Sequence, residues 1–275
     1  MKPAAFDYLR AETIDEALAA LAEHGADARI IAGGQSLMPM LNMRLAKPAV
    51  LIDIMRIAGL DEIKRERNMI VVPAAVRQAR LLARAALAQE QPLLAAALPW
   101  LGHYQTRSRG TICGSTAHAD PSAEIPLCLV ALDGEIRLRS RAKRRTVKAD
   151  SFFTGMMTTA KNDDEMIEAV AFPVAERGAG YAFREVARRH GDFAIVGCAA
   201  VVTARDIHFS VGGVADAPAR RSWPLLNGAA LDDALNAFAW ELDAREDIHA
   251  TARLRRDLVR NIGRAVIEEA TRCRG

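Results

Sequence analysis

The stretch Ile30–Ile54, IIAGGQSLMPMLNMRLAKPAVLIDI, decides how this chain is read. Two apolar runs, "ARII" ending at Ile31 and "AVLIDI" after Pro48, have the length and β-branched content of short buried strands. Between them lies Ala32-Gly33-Gly34-Gln35-Ser36, followed by an apolar segment from Leu37 to Leu41. Glycine accepts positive φ and lets backbone N–H groups converge on an anion. A Gly-Gly loop at a strand end is therefore a phosphate cradle or an ordinary turn. Taken alone the turn is favoured, because short glycine motifs recur by chance.

Upstream, Thr13-Ile14-Asp15-Glu16 before "ALAALAEHG" predicts a capped helix, with Thr13 as N-cap, Glu16 as its capping-box partner and Gly25 as the stop. Residues 1–56 thus read as a β-α-β-β unit. Residues 57–173 form a second block. It opens with a hairpin (strands 60–66 and 69–72) and an Ala/Leu-rich helical stretch over 77–102 interrupted near Pro92. A second glycine loop, Gly110-Thr111-Ile112-Cys113-Gly114-Ser115, precedes a helix initiated at Pro121, with Asp120 as its N-cap. A polar hairpin (135–140 and 144–147) and a strand closing at Pro173 complete it. Residues 174–275 read as three strands (180–186, 194–202, 206–212) and two amphipathic helices, an α+β layer.

Bulk properties are those of an ordinary soluble globular protein: 275 residues, net charge +3, 51% apolar and 5% aromatic. So small a charge and so few aromatics argue against nucleic acid as a partner. No signal core and no transmembrane segment is expected. Cys113, Cys128, Cys198 and Cys273 form no C-x-x-C pair, so no metal site is expected here, and free thiols in a reducing cytoplasm are the simple reading.

The two glycine loops carry the chemistry. Neither is a P-loop or a G-x-G-x-x-G fingerprint, which removes P-loop kinases and Rossmann dehydrogenases as first readings. Ser36, Thr111 and Ser115 offer hydroxyl donors, and two such loops from different blocks suit a pyrophosphate held between subdomains. Glu124, in the first turn of the expected helix, offers a carboxylate to ribose hydroxyls. Asp120 caps that helix, a role compatible with ligand contact. His118 reads equally as a loop hydrogen-bonding residue or a site residue. In "REVARRHGDFAIVG", Arg188 and Arg189 read as solvated, while Phe193 is core or lies against a planar ring. The hairpin 137–148 carries seven lysines and arginines, read first as a solvated face and second as a docking surface for an acidic partner.

Four motifs in order, "AGGQSLMPMLNMRLAKPAVLIDI", "RGTICGSTAHADPSAEIP", "FFTGMM" and "REVARRHGDFAIVG", resemble the FAD-binding medium subunit of molybdenum hydroxylases, the carbon monoxide dehydrogenase, quinoline oxidoreductase and xanthine dehydrogenase type. The resemblance spans the chain. It implies a vanillyl-alcohol-oxidase/p-cresol-methylhydroxylase-type FAD-binding fold of two α/β subdomains, plus a small C-terminal domain of antiparallel sheet and helices. It implies an electron-transfer subunit binding FAD, beside a large molybdopterin subunit and a small subunit with two [2Fe-2S] clusters, as a dimer of heterotrimers.

By residue, the resemblance assigns Ala32, Gly33, Gly34, Gln35, Ser36 and Leu37 to one pyrophosphate loop, and Thr111, Cys113, Gly114 and Ser115 to the other. His118, Asp120 and Glu124 follow on the adenosine side, with Ile167, Arg184 and Phe193 near the flavin. No catalytic residue is expected in this chain. Cys113 stands where the family loop has glycine, so its side chain must fit or its φ must be negative. Pro73 and Val76 replace a usual glycine and threonine, and Phe193 lacks a tyrosine hydroxyl. The rivals are a stand-alone FAD-dependent oxidoreductase and a non-redox nucleotide-binding module.

Overall fold

The computed structural model describes residues 2–274. In chain order β1 (Asp7–Arg10) leads to α1 (Ile14–His24), β2 (Ala28–Ile31), the short helix α2 (Leu37–Asn42) and β3 (Val50–Asp53). These strands form a parallel sheet in the order β1-β3-β2, so the chain crosses over twice on helices. Thr13 Oγ1 accepts from the Glu16 amide at 3.1 Å, as a capping residue should. The Glu16 carboxylate accepts from the Glu12 amide, one residue earlier than the expected capping-box partner. Gly25, at φ +50, stops the helix, and Ala17, Leu18, Ala20 and Leu21 form its buried stripe.

The second block holds β4 (Lys64–Glu66), β5 (Met69–Pro73), α3 (Gln78–Leu82), α4 (Leu87–Glu90), α5 (Pro92–Ala97), α6 (Tyr104–Arg107), α7 (Ile112–His118) and α8 (Glu124–Ala131). It continues through β6 (Glu135–Arg139), β7 (Arg144–Lys148), α9 (Ala149–Phe152), the ribbon of β8 (Phe153–Gly155) and β9 (Thr158–Thr159), and β10 (Met166–Pro173). Its five-stranded antiparallel sheet runs β4-β5-β10-β6-β7, with a bulge at Ile167/Ala169.

The stretch expected to be one interrupted helix is three short helices and a 3-10 turn (Leu98–Trp100). Gln91, at φ −156, breaks it, caps α5 through its side chain and is followed by Pro92 at the first helical position. The expected Pro121 helix begins three residues later, at Glu124. Asp120 Oδ1 accepts from the Ser122 amide at 2.8 Å, making a turn of Asp120–Ala123. The second glycine loop is the first turn of α7, capped by Thr111.

The C-terminal sheet runs β11 (Gly180–Val186), β12 (Val196–Val202), β13 (Asp206–Gly212) and β14 (Ala219–Pro224), followed by α10 (Gly228–Glu241) and α11 (Ala252–Arg272). β14, ARRSWP, was not anticipated, because its charged, largely exposed composition hides its pairing. β12 is buried along its whole length. Its alternate residues serve two cores: Cys198, Ala200 and Val202 pack with α10 and α11, while Ala199 and Val201 join the core that includes α8. α8 is itself buried at all eight positions, apolar around its circumference after Glu124, and packs on β12 and β13.

β11 meets α11 without clearance at Gly180, where a Cβ would lie 1.8 Å from the Ala270 carbonyl oxygen. Gly180→Ala should therefore lower the unfolding free energy by about 1–3 kcal/mol. Gly155→Ala, where a Cβ meets nothing within 4 Å, should change it by about 0.5 kcal/mol or less. Urea unfolding of both variants checks the contrast, and equal stabilities would mean that β11 and α11 do not pack this closely.

Candidate functional site

The strand ends of the first sheet, the start of α7 and the turn before α8 enclose a cleft of about 950 Å³, at the upper end of ordinary small-molecule sites. β2 delivers the first loop into it. Gly34 sits at φ +69, which glycine adopts without strain. Gly33 is glycine for a different reason: a Cβ there would lie 2.2 Å from Arg109 O and 2.6 Å from Gly110 Cα. The two loops thus touch backbone to backbone. Gly110 in turn lies against Gln78, whose Oε1 a Cβ would approach to 2.7 Å. The segment Val76–Gln78 holds the second loop through Gln78 N to Gly110 O at 2.8 Å and Ile112 N to Val76 O at 3.2 Å.

The loops differ in what they leave open. Among the described residues, no backbone carbonyl accepts from the amides of Gly33, Gly34, Gln35, Ser36 or Leu37. In the second loop Thr111 Oγ1 takes the Gly114 amide at 3.0 Å, and Thr111 O takes that of Ser115. The first loop is therefore the richer anion cradle. Cys113 fits because it is helical: its thiol is buried, bonds Val72 O at 3.4 Å and is pushed up to about 12 by burial, so it is an inert packing group.

Glu124 opens α8 with 7% of its surface exposed, and lines the cleft. Burial, then the neighbouring Asp120 carboxylate, push it up to about 7, against an opposing pull from Arg107. Behind it, on β11, Glu185 is pushed up to about 8 by burial and by Glu124, and neither of its oxygens has a partner. Glu124 therefore enters the cleft as a neutral acid below neutral pH, able to donate as well as accept.

All but one of the residues expected from sequence line this cleft: Ala32 to Leu37, Thr111, Cys113, Gly114, Ser115, His118, Asp120, Glu124, Ile167 and Phe193. Phe193 is 67% exposed there and is not core. Arg184 stands apart. Strand alternation turns Phe183 toward the core of the first two sheets, and puts Arg184 on the α11 side, where its guanidinium holds Glu269 at 2.7 Å. The sequence reading missed Gln78 and the cations Arg29, Lys47 and Lys161, which also line the cleft. Gln78 opens α3 and the three cations sit singly in strand and loop segments, so they leave no periodic signal, although "FFTGMM" did point to the ribbon whose Met157 and Thr158 join them.

The cleft suits a long ligand with an anionic centre and hydroxyl or amide donors. The residues of one loop that line it carry five amides without a carbonyl partner, and the buried Oε1 of Gln78 lacks a donor. Among the described residues no acid, His or Cys cluster could hold a metal, and no helix is long and apolar enough to cross a membrane.

Residues 4–175 match the FAD binding domain in molybdopterin dehydrogenase, and residues 181–270 the CO dehydrogenase flavoprotein C-terminal domain. The nicotine 6-hydroxylase medium subunit of Paenarthrobacter nicotinovorans is 36% identical, over 98% of this chain and 99% of that one. Carbon monoxide dehydrogenase from Hydrogenophaga pseudoflava superposes with a TM-score of 0.94 at 30% identity, covering all of both chains. Quinoline 2-oxidoreductase from Pseudomonas putida 86 does so at 0.92 and 31%, covering 99% of each.

Two outcomes follow from this geometry. Gly33→Ala must push the loops apart and should reduce FAD affinity about tenfold or more by fluorescence titration of the flavin-free chain, whereas an unchanged affinity would mean the loops do not set the cleft. Glu124 has a raised folded value, so its neutral form predominates below about pH 7, and ionisation above that value sets a negative charge beside an anionic ligand. FAD affinity should therefore fall as pH rises through about 7, and Glu124→Gln should flatten that profile. A pH step of unaltered size in the Gln variant would assign it to another group.

Proposed function

The chain belongs to the FAD-binding medium subunits of the molybdenum hydroxylases, and from that premise we propose how its residues serve electron transfer. FAD would supply the redox chemistry here, relaying electrons between a [2Fe-2S] partner subunit and an external acceptor, with substrate oxidised on a large molybdopterin subunit. The protein's share is to bind, orient and shield. The observation that carries this reading is the first loop, which lines the cleft with five amides free of carbonyl partners and whose Gly33 is pressed onto the second loop.

The free amides of Gly33 to Leu37 would hold the pyrophosphate, with the Ser36 and Ser115 hydroxyls as further donors. Gln78 Oε1 and Glu124 accept from or donate to the ligand's hydroxyl and amide groups. Met157, Ile167 and Phe193 give the cleft its apolar wall and exclude water. No side chain here needs to act as a nucleophile, because the reacting bonds belong to the cofactor and the partner subunits. The complex is a dimer of heterotrimers in the cytoplasm, which agrees with three buried free thiols, and its substrate is an N-heteroaromatic compound. The segments 1–56, 57–173 and 174–275 act as two FAD-binding subdomains and a C-terminal domain.

The chain should purify yellow, with one flavin, beside a large molybdopterin protein and a small iron–sulfur protein. Gly34→Asp and Ser115→Asp should each lower flavin content severalfold by setting a carboxylate beside the pyrophosphate. Full flavin content in both variants would contradict the two-loop clamp. Reduction of the isolated chain by a small organic substrate would instead favour a stand-alone oxidoreductase.

A further inference from the structure

The guanidinium of Arg255, in the first turn of α11, is only 2% exposed. Burying a cation so completely is costly unless its donors are used. Nη1 donates to Ile195 O at 2.5 Å and to Gly213 O at 2.6 Å, and Nη2 to the Asp247 carboxylate at 2.5 Å. Burial opposes the charge on Asp247, but the amides of His249 and Ala250 and the Arg255 charge outweigh it and hold the carboxyl below its usual range.

The two carbonyls belong to segments that lead directly to the cleft. Ile195 lies two residues from Phe193, which lines it. Gly213, at φ +81, donates its amide to Pro121 O at 2.7 Å, inside the turn between Asp120 and Glu124. A Cβ on Gly213 would lie 2.7 Å from Ile195 O, so the two segments are pressed together where the guanidinium joins them. Arg245 reaches Gly213 O only at 3.4 Å, so Arg255 provides the close ionic contact.

We propose that Arg255 is a positioning residue of the FAD site: by tying Ile195 to Gly213 it fixes both the Phe193 wall and the Asp120–Glu124 turn from within the C-terminal domain. This rests on the reading of the cleft as an FAD site. It places one determinant of cofactor binding outside residues 4–175, the segment that matches the FAD-binding family, and far along the chain from either glycine loop.

The test uses the full chain freed of flavin, as wild type, Arg255→Met and Arg255→Lys. FAD affinity is read by fluorescence titration, stability by thermal unfolding without FAD, and the bound flavin by visible circular dichroism at saturation. Arg255→Met should weaken FAD binding about tenfold or more and alter the flavin dichroism, with Arg255→Lys between it and wild type, because an ammonium keeps the charge but lacks the planar fork. A lower unfolding temperature with wild-type affinity and dichroism would overturn the proposal and leave Arg255 a fold residue. If Arg255→Met yields no folded protein, Asp247→Asn decides. That change frees the guanidinium from its carboxylate and should weaken FAD severalfold, while unchanged affinity overturns the proposal. A wild-type chain that binds no FAD would remove the FAD reading itself, a result distinct from variants that bind it normally.

Discussion

The contact on which the site depends is that of Gly33 with the Arg109–Gly110 peptide. Two backbones meet there with no room for a single carbon between them. Such an approach can be made only by glycine, and it sets the loop that follows β2 directly against the peptide that leads into α7. Gln78 extends the constraint by one layer, since its side chain fills the space that a larger residue at Gly110 would need. Three segments, near residues 33, 78 and 110, are thereby stacked. The cleft is shaped by main chain more than by side chains, which suits recognition of a pyrophosphate, a group without sequence-specific features.

Electrostatics then sort the cleft. Its cations, Arg29, Lys47 and Lys161, come from strand and loop segments; two of its acids, Asp120 and Glu124, flank the turn before α8, and Asp163, Glu165 and Asp192 line it elsewhere. Glu124 and Glu185 tolerate each other because burial favours their neutral forms. The linkage runs one way: both folded values lie above the ordinary carboxylate value of 4.5, so the stability that these groups allow is complete in acid. It is lost as pH rises through about 7 and then about 8. Arg255 poses the opposite problem, a buried charge held by two carbonyls and the Asp247 carboxylate while its Nε has no partner.

The elements most legible in sequence were those with local rules. Thr13, Gly25 and the turns that bound the C-terminal strands led to α1, β11, β12 and β13 within a residue or two. The two glycine loops were found by composition, but their mutual contact was not, because it joins residues far apart in the chain. Pro121 misled for a physical reason: Asp120 spends its oxygen on Ser122, so the proline sits in a turn and the helix waits until Glu124. Arg184 shows the limit of matching positions between relatives. The motif put it near the flavin, yet strand alternation and Glu269 draw it away from the cleft. Arg255 and Gln78 were invisible, since a lone polar residue in a helical pattern gives no sign that it will be buried.

β12 belongs to two cores at once, with Ala199 and Val201 against one and Cys198 and Ala200 against the other. Neither part of the chain can therefore be separated as a self-sufficient piece. A fragment ending before β11 would leave the apolar surface of α8 bare, and a fragment beginning at β11 would offer one face of its sheet to water. Synthesis on the ribosome meets the same difficulty, because α8 emerges long before the strands that cover it. The nascent chain must carry a helix apolar at every position after Glu124, without the sheet that covers it, for some seventy residues of elongation, about the interval from α8 to β12. That interval is the point in the life of this protein at which a chaperone, or early docking of a partner, has the most to protect.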